Sequence, residues 1–106
     1  MSAGDRYFGP FGVSGEEVGT GALINVRLDF KPMSIEICNR TQNSTYFWMA
    51  SMPQDSASKR IAAGTQTFIT SNGINSGNAG FSIGTDATLN AASDVIYWTA
   101  HRSMKF

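Results

Sequence analysis

In ALINVRLDF, residues 22–30, apolar and polar side chains alternate one for one. Ile24, Val26, Leu28 and Phe30 face one way, and Asn25, Arg27 and Asp29 the other, which is the pattern of a half-buried strand. Lys31-Pro32 ends the run, because proline lacks a ladder donor and restricts the residue before it. MSIEIC, residues 33–38, resumes the alternation with Met33, Ile35 and Ile37 inward and Ser34, Glu36 and Cys38 outward or edge-facing. Asn39 to Ser44 supply a polar turn. TYFWMASM, residues 45–52, then reads as a strand that is apolar on both faces, Tyr46 with Trp48 and Phe47 with Met49. Such a strand is either central in a sandwich or shows one face to a partner.

The rest of the chain follows the same period. TQTFIT, residues 65–70, reads as a strand, and SNGINSGNAG, residues 71–80, as turn chemistry in which Asn72-Gly73 suits a tight hairpin. FSI, residues 81–83, and VIYWTAH, residues 95–101, read as the arms of a closing hairpin. Leu89 is the one apolar anchor of the polar segment between them. PQDSASKRIAAG, residues 53–64, is too short for a stable helix and reads as a loop carrying Lys59 and Arg60. Residues 1–21 are Gly-rich, hold Tyr7, Phe8 and Phe11 around Pro10, and read as an extended arm with at most one short strand. The expected architecture is all-β: a single-domain antiparallel β-sandwich or jelly roll over residues 22–106, with an extended N-terminal arm over residues 1–21.

Composition narrows the function classes. One hundred and six residues make one domain, which buries roughly 65% of its unfolded surface. Charged residues are only 15%, and eight basic residues balance eight acidic ones. That balance carries no electrostatic footprint for nucleic acid or an anionic membrane. It also makes a surface poorly suited to keeping copies apart, which a component of an assembly tolerates. No apolar run approaches the ~20 residues of a membrane span, and no apolar secretory segment opens the chain, so a cytoplasmic product is expected. Asn39-Arg40-Thr41 and Asn43-Ser44-Thr45 match the glycosylation sequon, yet without a signal peptide they read as turn residues. The lone Cys38 excludes an internal disulfide and a multi-cysteine metal cage, and is expected to be a buried or half-buried small hydrophobe.

Catalytic constellations are weak. His101 is the only histidine, and its place near a strand end favours a surface imidazole over a nucleophile's base. Ser56-Ala57-Ser58-Lys59 has an acyl-enzyme spacing without its companion motifs. Gly19-Thr20-Gly21 lacks the third glycine and the strand-loop-helix setting of a dinucleotide site. Nothing in the spacing of Asp5, Glu16, Glu17, Asp86 and Asp94 fixes two carboxylates at a working distance, and the Asp86 loop fits no calcium motif. Neither catalytic residues, metal nor cofactor are expected. The aromatics are the better lead. Trp48, Trp98, Tyr46 and Tyr97 pack as cross-strand pairs, or one face of them contacts a protein or stacks on sugar rings.

Two stretches carry a resemblance. FKPMSIEICNRT contributes Phe30, Pro32, Ile35, Ile37, Asn39, Arg40 and Thr41. GFSIGTDATLNAASDVIYWTAHR contributes Gly80, Phe81, Ile83, Gly84, Asp86, Asn90, Tyr97 and Ala100. Together they resemble a pattern in small β-rich structural modules of tailed bacteriophages, over roughly residues 22–102. The N-terminal arm lies outside the match. The resemblance implies a non-catalytic virion protein of the capsid-decoration or tail-fibre type. A capsid decoration (cement) protein would be assembled in the host cytoplasm. It would bridge coat subunits on the head as a homo-oligomer, expected to be a trimer, with the major capsid protein as its partner. The expected contact residues are Arg6, Tyr7, Phe8 and Phe11 of the arm, with Trp48, Lys59, Arg60 and Trp98. The alternative is a tail-fibre or receptor- and glycan-binding module stacking sugars on Trp48, Trp98 or Tyr97.

Overall fold

The computed structural model describes residues 6–102, so the first five residues of the expected arm lie outside the described part. Nine strands are present among the described residues. They are β1 (Arg6–Phe8), β2 (Gly12–Val18), β3 (Ile24–Arg27), β4 (Pro32–Asn39), β5 (Ser44–Met49), β6 (Ser56–Arg60), β7 (Gln66–Gly77), β8 (Gly80–Ile83) and β9 (Val95–Arg102). The all-β antiparallel class expected from the alternation holds. Its layers come from one sheet, ordered β1-β2-β9-β4-β5-β6-β7-β8-β3, that curls on itself into a half-barrel. The ring of Phe81 on β8 meets the ring of Trp98 on β9 edge-to-face at 5.2 Å, although neither strand pairs with the other.

Register explains the core. Val13, Ala100, Ile35 and Trp48 stand side by side in one inward row across β2, β9, β4 and β5, and all four are buried. The next inward row runs Arg6, Gly15, Trp98, Ile37, Tyr46 and Lys59. Ile74, Phe81, Ile83, Val26, Leu28 and Ala57 fill the other wall. Polar residues 84–94 fold over one end of the half-barrel and set Leu89, fully buried, into it as a stopper.

Several local expectations change. The residue 1–21 arm is, from residue 6, part of the sheet: β1 and β2 form a hairpin, and β2 pairs with β9 over seven positions. Two of its glycines, Gly12 and Gly19, serve close approach. A side chain at Gly12 would collide with the Ala100 carbonyl, and one at Gly19 with that of Ala91. Residues 56–60, expected in a loop, form β6, because β5 and β7 supply ladder partners that a polar strand does not advertise. Asn72-Gly73 is not a hairpin turn. It lies inside β7, where Asn72 takes φ 59° and Gly73 presses against the Ser56 backbone at a register break. The stretch 80–102 is not a hairpin either, since β8 lies between β7 and β3, and β9 between β2 and β4. A break between Pro32 and Ser34 turns Met33 out to solvent rather than inward. Cys38 alternates with Ile37 onto the convex face and is exposed, because no second sheet covers that face.

Candidate functional site

The eight residues singled out in the sequence fall into three groups. Tyr7 and Phe8 on β1 are 74% exposed and Phe11 in the β1–β2 turn is 56% exposed, while Arg6 is half-buried. Trp48 and Trp98 are buried in the core, which removes them as contact or sugar-stacking surfaces. Their strands are separated by β4, so the two indoles are not a cross-strand pair. Lys59 points inward and is held by an ion pair, whereas Arg60 next to it points outward, exposed, within 3.5 Å of Gln66. Four strands separate β1 from β6, so the lysine–arginine pair and the aromatic hairpin do not form one surface.

Alternation of the ladder fixes what β1 exposes. Gly9 N–H donates to Gly12 C=O at 2.9 Å across the turn, so Tyr7 forms the next hydrogen-bonded pair, with Ser14. The main-chain groups of Arg6 and Phe8 therefore point away from β2. At the other edge Leu28 N–H donates to Ala79 C=O at 2.8 Å, which leaves the main-chain groups of Asn25 and Arg27 pointing away from β8. The two edges face one another. Arg6 Nη1 donates to the Arg27 carbonyl at 2.5 Å, and its guanidinium lies 5.7 Å from the centre of the Trp98 ring.

Phe8 shares the inward row of Val13, Ala100, Ile35 and Trp48, yet it is exposed because the row ends beside it. A shallow cleft of about 280 Å³ opens next to this edge, lined by Tyr7, Ser14, Gly15, Glu16, Tyr97, Trp98 and Thr99. Tyr97 accepts a hydrogen bond from Arg40 at 3.2 Å, and the Trp98 indole N–H has no acceptor among the described residues.

The second cluster is at the stoppered end. Asp86 accepts from Lys59 Nζ at 2.7 Å and from the Tyr46 hydroxyl at 2.5 Å, and Thr88 Oγ1 lies 2.7 Å from the same hydroxyl. Burial, reinforced by the Asp86 carboxylate, pushes the Tyr46 phenol far above its ordinary range. Asn90 receives Thr20 N–H and donates to the carbonyls of Ala22 and Gly84. Asn39 donates to Leu89 C=O and to Asp94. The sequence marked Asn39 as a turn residue and Asp86 and Asn90 as parts of a polar linking segment, and missed that they tie a stopper to the barrel wall. Asp86 meets one lysine and one phenol, an arrangement that ties the stopper to the β5 and β6 wall. Among the described residues no group of three or more His, Cys, Asp or Glu is gathered as a metal ligand set. No helix among them is long and apolar enough to cross a membrane.

No family model, no curated protein and no solved structure matches this chain.

Proposed function

We propose that this chain is a non-catalytic structural protein of a tailed-bacteriophage virion, a decoration protein that binds the outer capsid surface and bridges coat subunits. The observation that carries the reading is the placement of Tyr7, Phe8 and Phe11, three exposed aromatics on one hairpin at the edge of a stiff sheet. Large aromatic side chains supply most of the binding energy at protein contacts, and a homotrimer would repeat the patch, turning weak contacts into avid ones. The phage resemblance of residues 30–41 and 80–100 supplies the virion context.

The test is reconstitution. Particles stripped of this protein are incubated with the intact protein or with the Y7A/F8A/F11A variant and imaged. Recoating in hundreds of copies by the intact protein, and its loss in the variant, is the expected result. Equal recoating by both ends the proposal.

The tail-fibre or glycan-binding reading now rests on the cleft between Tyr7 and Tyr97, which has the Ser14 and Thr99 hydroxyls beside it. A few copies per particle, located at the tail, with sugar binding lost in Tyr97→Ala, would favour it.

A further inference from the structure

Strand count decides what the open side of the half-barrel can accept. Each of the eight pairings between β1 and β3 is antiparallel, so the two edge strands run in the same direction. Among the described residues they do not pair directly, and the side chain of Arg6 spans from one to the other. A gap that one arginine bridges is about two strand spacings, ~10 Å, which is room for one strand. One strand running antiparallel to both edges would close an all-antiparallel barrel of even strand number.

We propose that the gap between β1 and β3 is an acceptor slot for an extended segment of a partner protein. The main chain of that segment pairs with Arg6 and Phe8 on one side and with Asn25 and Arg27 on the other. Its inward side chains are apolar. The inward-facing residues at the slot, Phe8 and Ile24, are exposed and half-buried, whereas their ladder neighbours Val13 and Ile83 are buried. Its outward side chains are acidic. Arg27 stands exposed on that face beside Gly80 and Gly77, neither of which offers it a charge partner. Arg6 is the slot's own occupant: its guanidinium holds the Arg27 carbonyl until a main-chain N–H of the incoming strand replaces it.

This deepens the docking reading above and rests on its placing of the contact at the N-terminal hairpin. The slot is measured on the isolated protein, so its failure is distinct from a failure to coat particles.

The probe is a short synthetic peptide alternating isoleucine and aspartate, followed by residue-resolved amide exchange. The amides of Phe8, Asn25 and Arg27 are expected to slow at least tenfold, while those of Tyr7 and Val26, already in ladders, stay unchanged. The same peptide N-methylated at alternate residues cannot form a ladder and should lose binding. A lysine-for-aspartate peptide should bind at least about tenfold more weakly. Asn25→Pro removes an N–H that faces only the gap, a position an edge strand tolerates, so this variant should keep its melting temperature and lose the peptide. No protection at millimolar peptide, protection elsewhere on the sheet, or equal binding by the N-methylated peptide each overturns the slot. Equal binding by the lysine peptide overturns the acidic partner. A peptide-free protein that already dimerises with those amides protected would make a second copy the occupant and overturn the partner assignment.

Discussion

Arg6 and Arg27 sit on opposite edges of one sheet, and the guanidinium of the first donates to the main-chain carbonyl of the second. The same guanidinium stacks on Trp98, which in turn meets Phe81 from the far wall. One side chain thus joins two edges that no backbone ladder joins. Arg6→Ala should cost about 1 kcal/mol, from the charged hydrogen bond and a partly exposed cation–π contact. Arg6→Lys keeps the charge but loses the planar fork and should recover only part. Urea unfolding of both variants checks this, and a midpoint unchanged in Arg6→Ala removes the bridge from any account of stability.

Asp86 is the shared acceptor of Lys59 and Tyr46. Asp86→Ala leaves the Lys59 ammonium without its counter-charge and the Tyr46 phenol with Thr88 alone in a largely buried site, and should cost about 3 kcal/mol. Lys59→Met replaces the cation by an apolar chain of similar length and should cost less. Denaturant titration at constant m-value distinguishes the two.

The raised Tyr46 ionisation sets an alkaline limit. The unfolded phenol loses its proton near pH 10 while the folded one keeps it, so the folded state binds more protons above that pH. Stability from this group is complete below pH ~10 and falls as pH rises beyond it. Melting temperature measured from pH 8 to 12 should drop steeply past pH ~10, and Tyr46→Phe should flatten that drop.

Asn90 ties residues 20–22 to the 84–94 segment through one buried amide, receiving Thr20 N–H and donating to the Ala22 and Gly84 carbonyls. Asn90→Ala should destabilise by about 2–3 kcal/mol, because three main-chain groups lose their partner together. Proteolysis should then cut first within residues 84–94. A variant as resistant as the wild type would show that Leu89 alone holds the stopper.

Cys38 lies exposed on β4 and should react fully with a thiol reagent in the native protein. Cys38→Ser should leave stability within about 0.5 kcal/mol of the wild type. Labelling only after denaturation would contradict its outward position.

Strands with period-two alternation were legible in the sequence. Ile35 and Ile37 on β4 lie buried as the pattern required, and on β9 the residues Ile96, Trp98 and Ala100 share one buried face. What misled was composition: β2 and β6 are rich in Gly, Ser and charge, and they are strands because neighbours distant in sequence offer them ladders. The Trp48 and Trp98 faces were ambiguous, since a single strand does not say which side the curl encloses. The exposed hairpin aromatics were visible as residues, but not the gap beside them. That gap depends on the parity of nine strands and on Arg27, which the alternation marked only as outward.

Pairing of β2, near the start of the chain, with β9, near its end, has a consequence for biosynthesis. Until residues 95–102 have left the ribosome, the hairpin that carries Tyr7 and Phe8 has no strand to lie against, and one edge of β4 stays unpaired. The β2–β9 ladder therefore forms only once residues 95–102 have emerged, and a product truncated before them would display its sticky edges to every other nascent copy nearby.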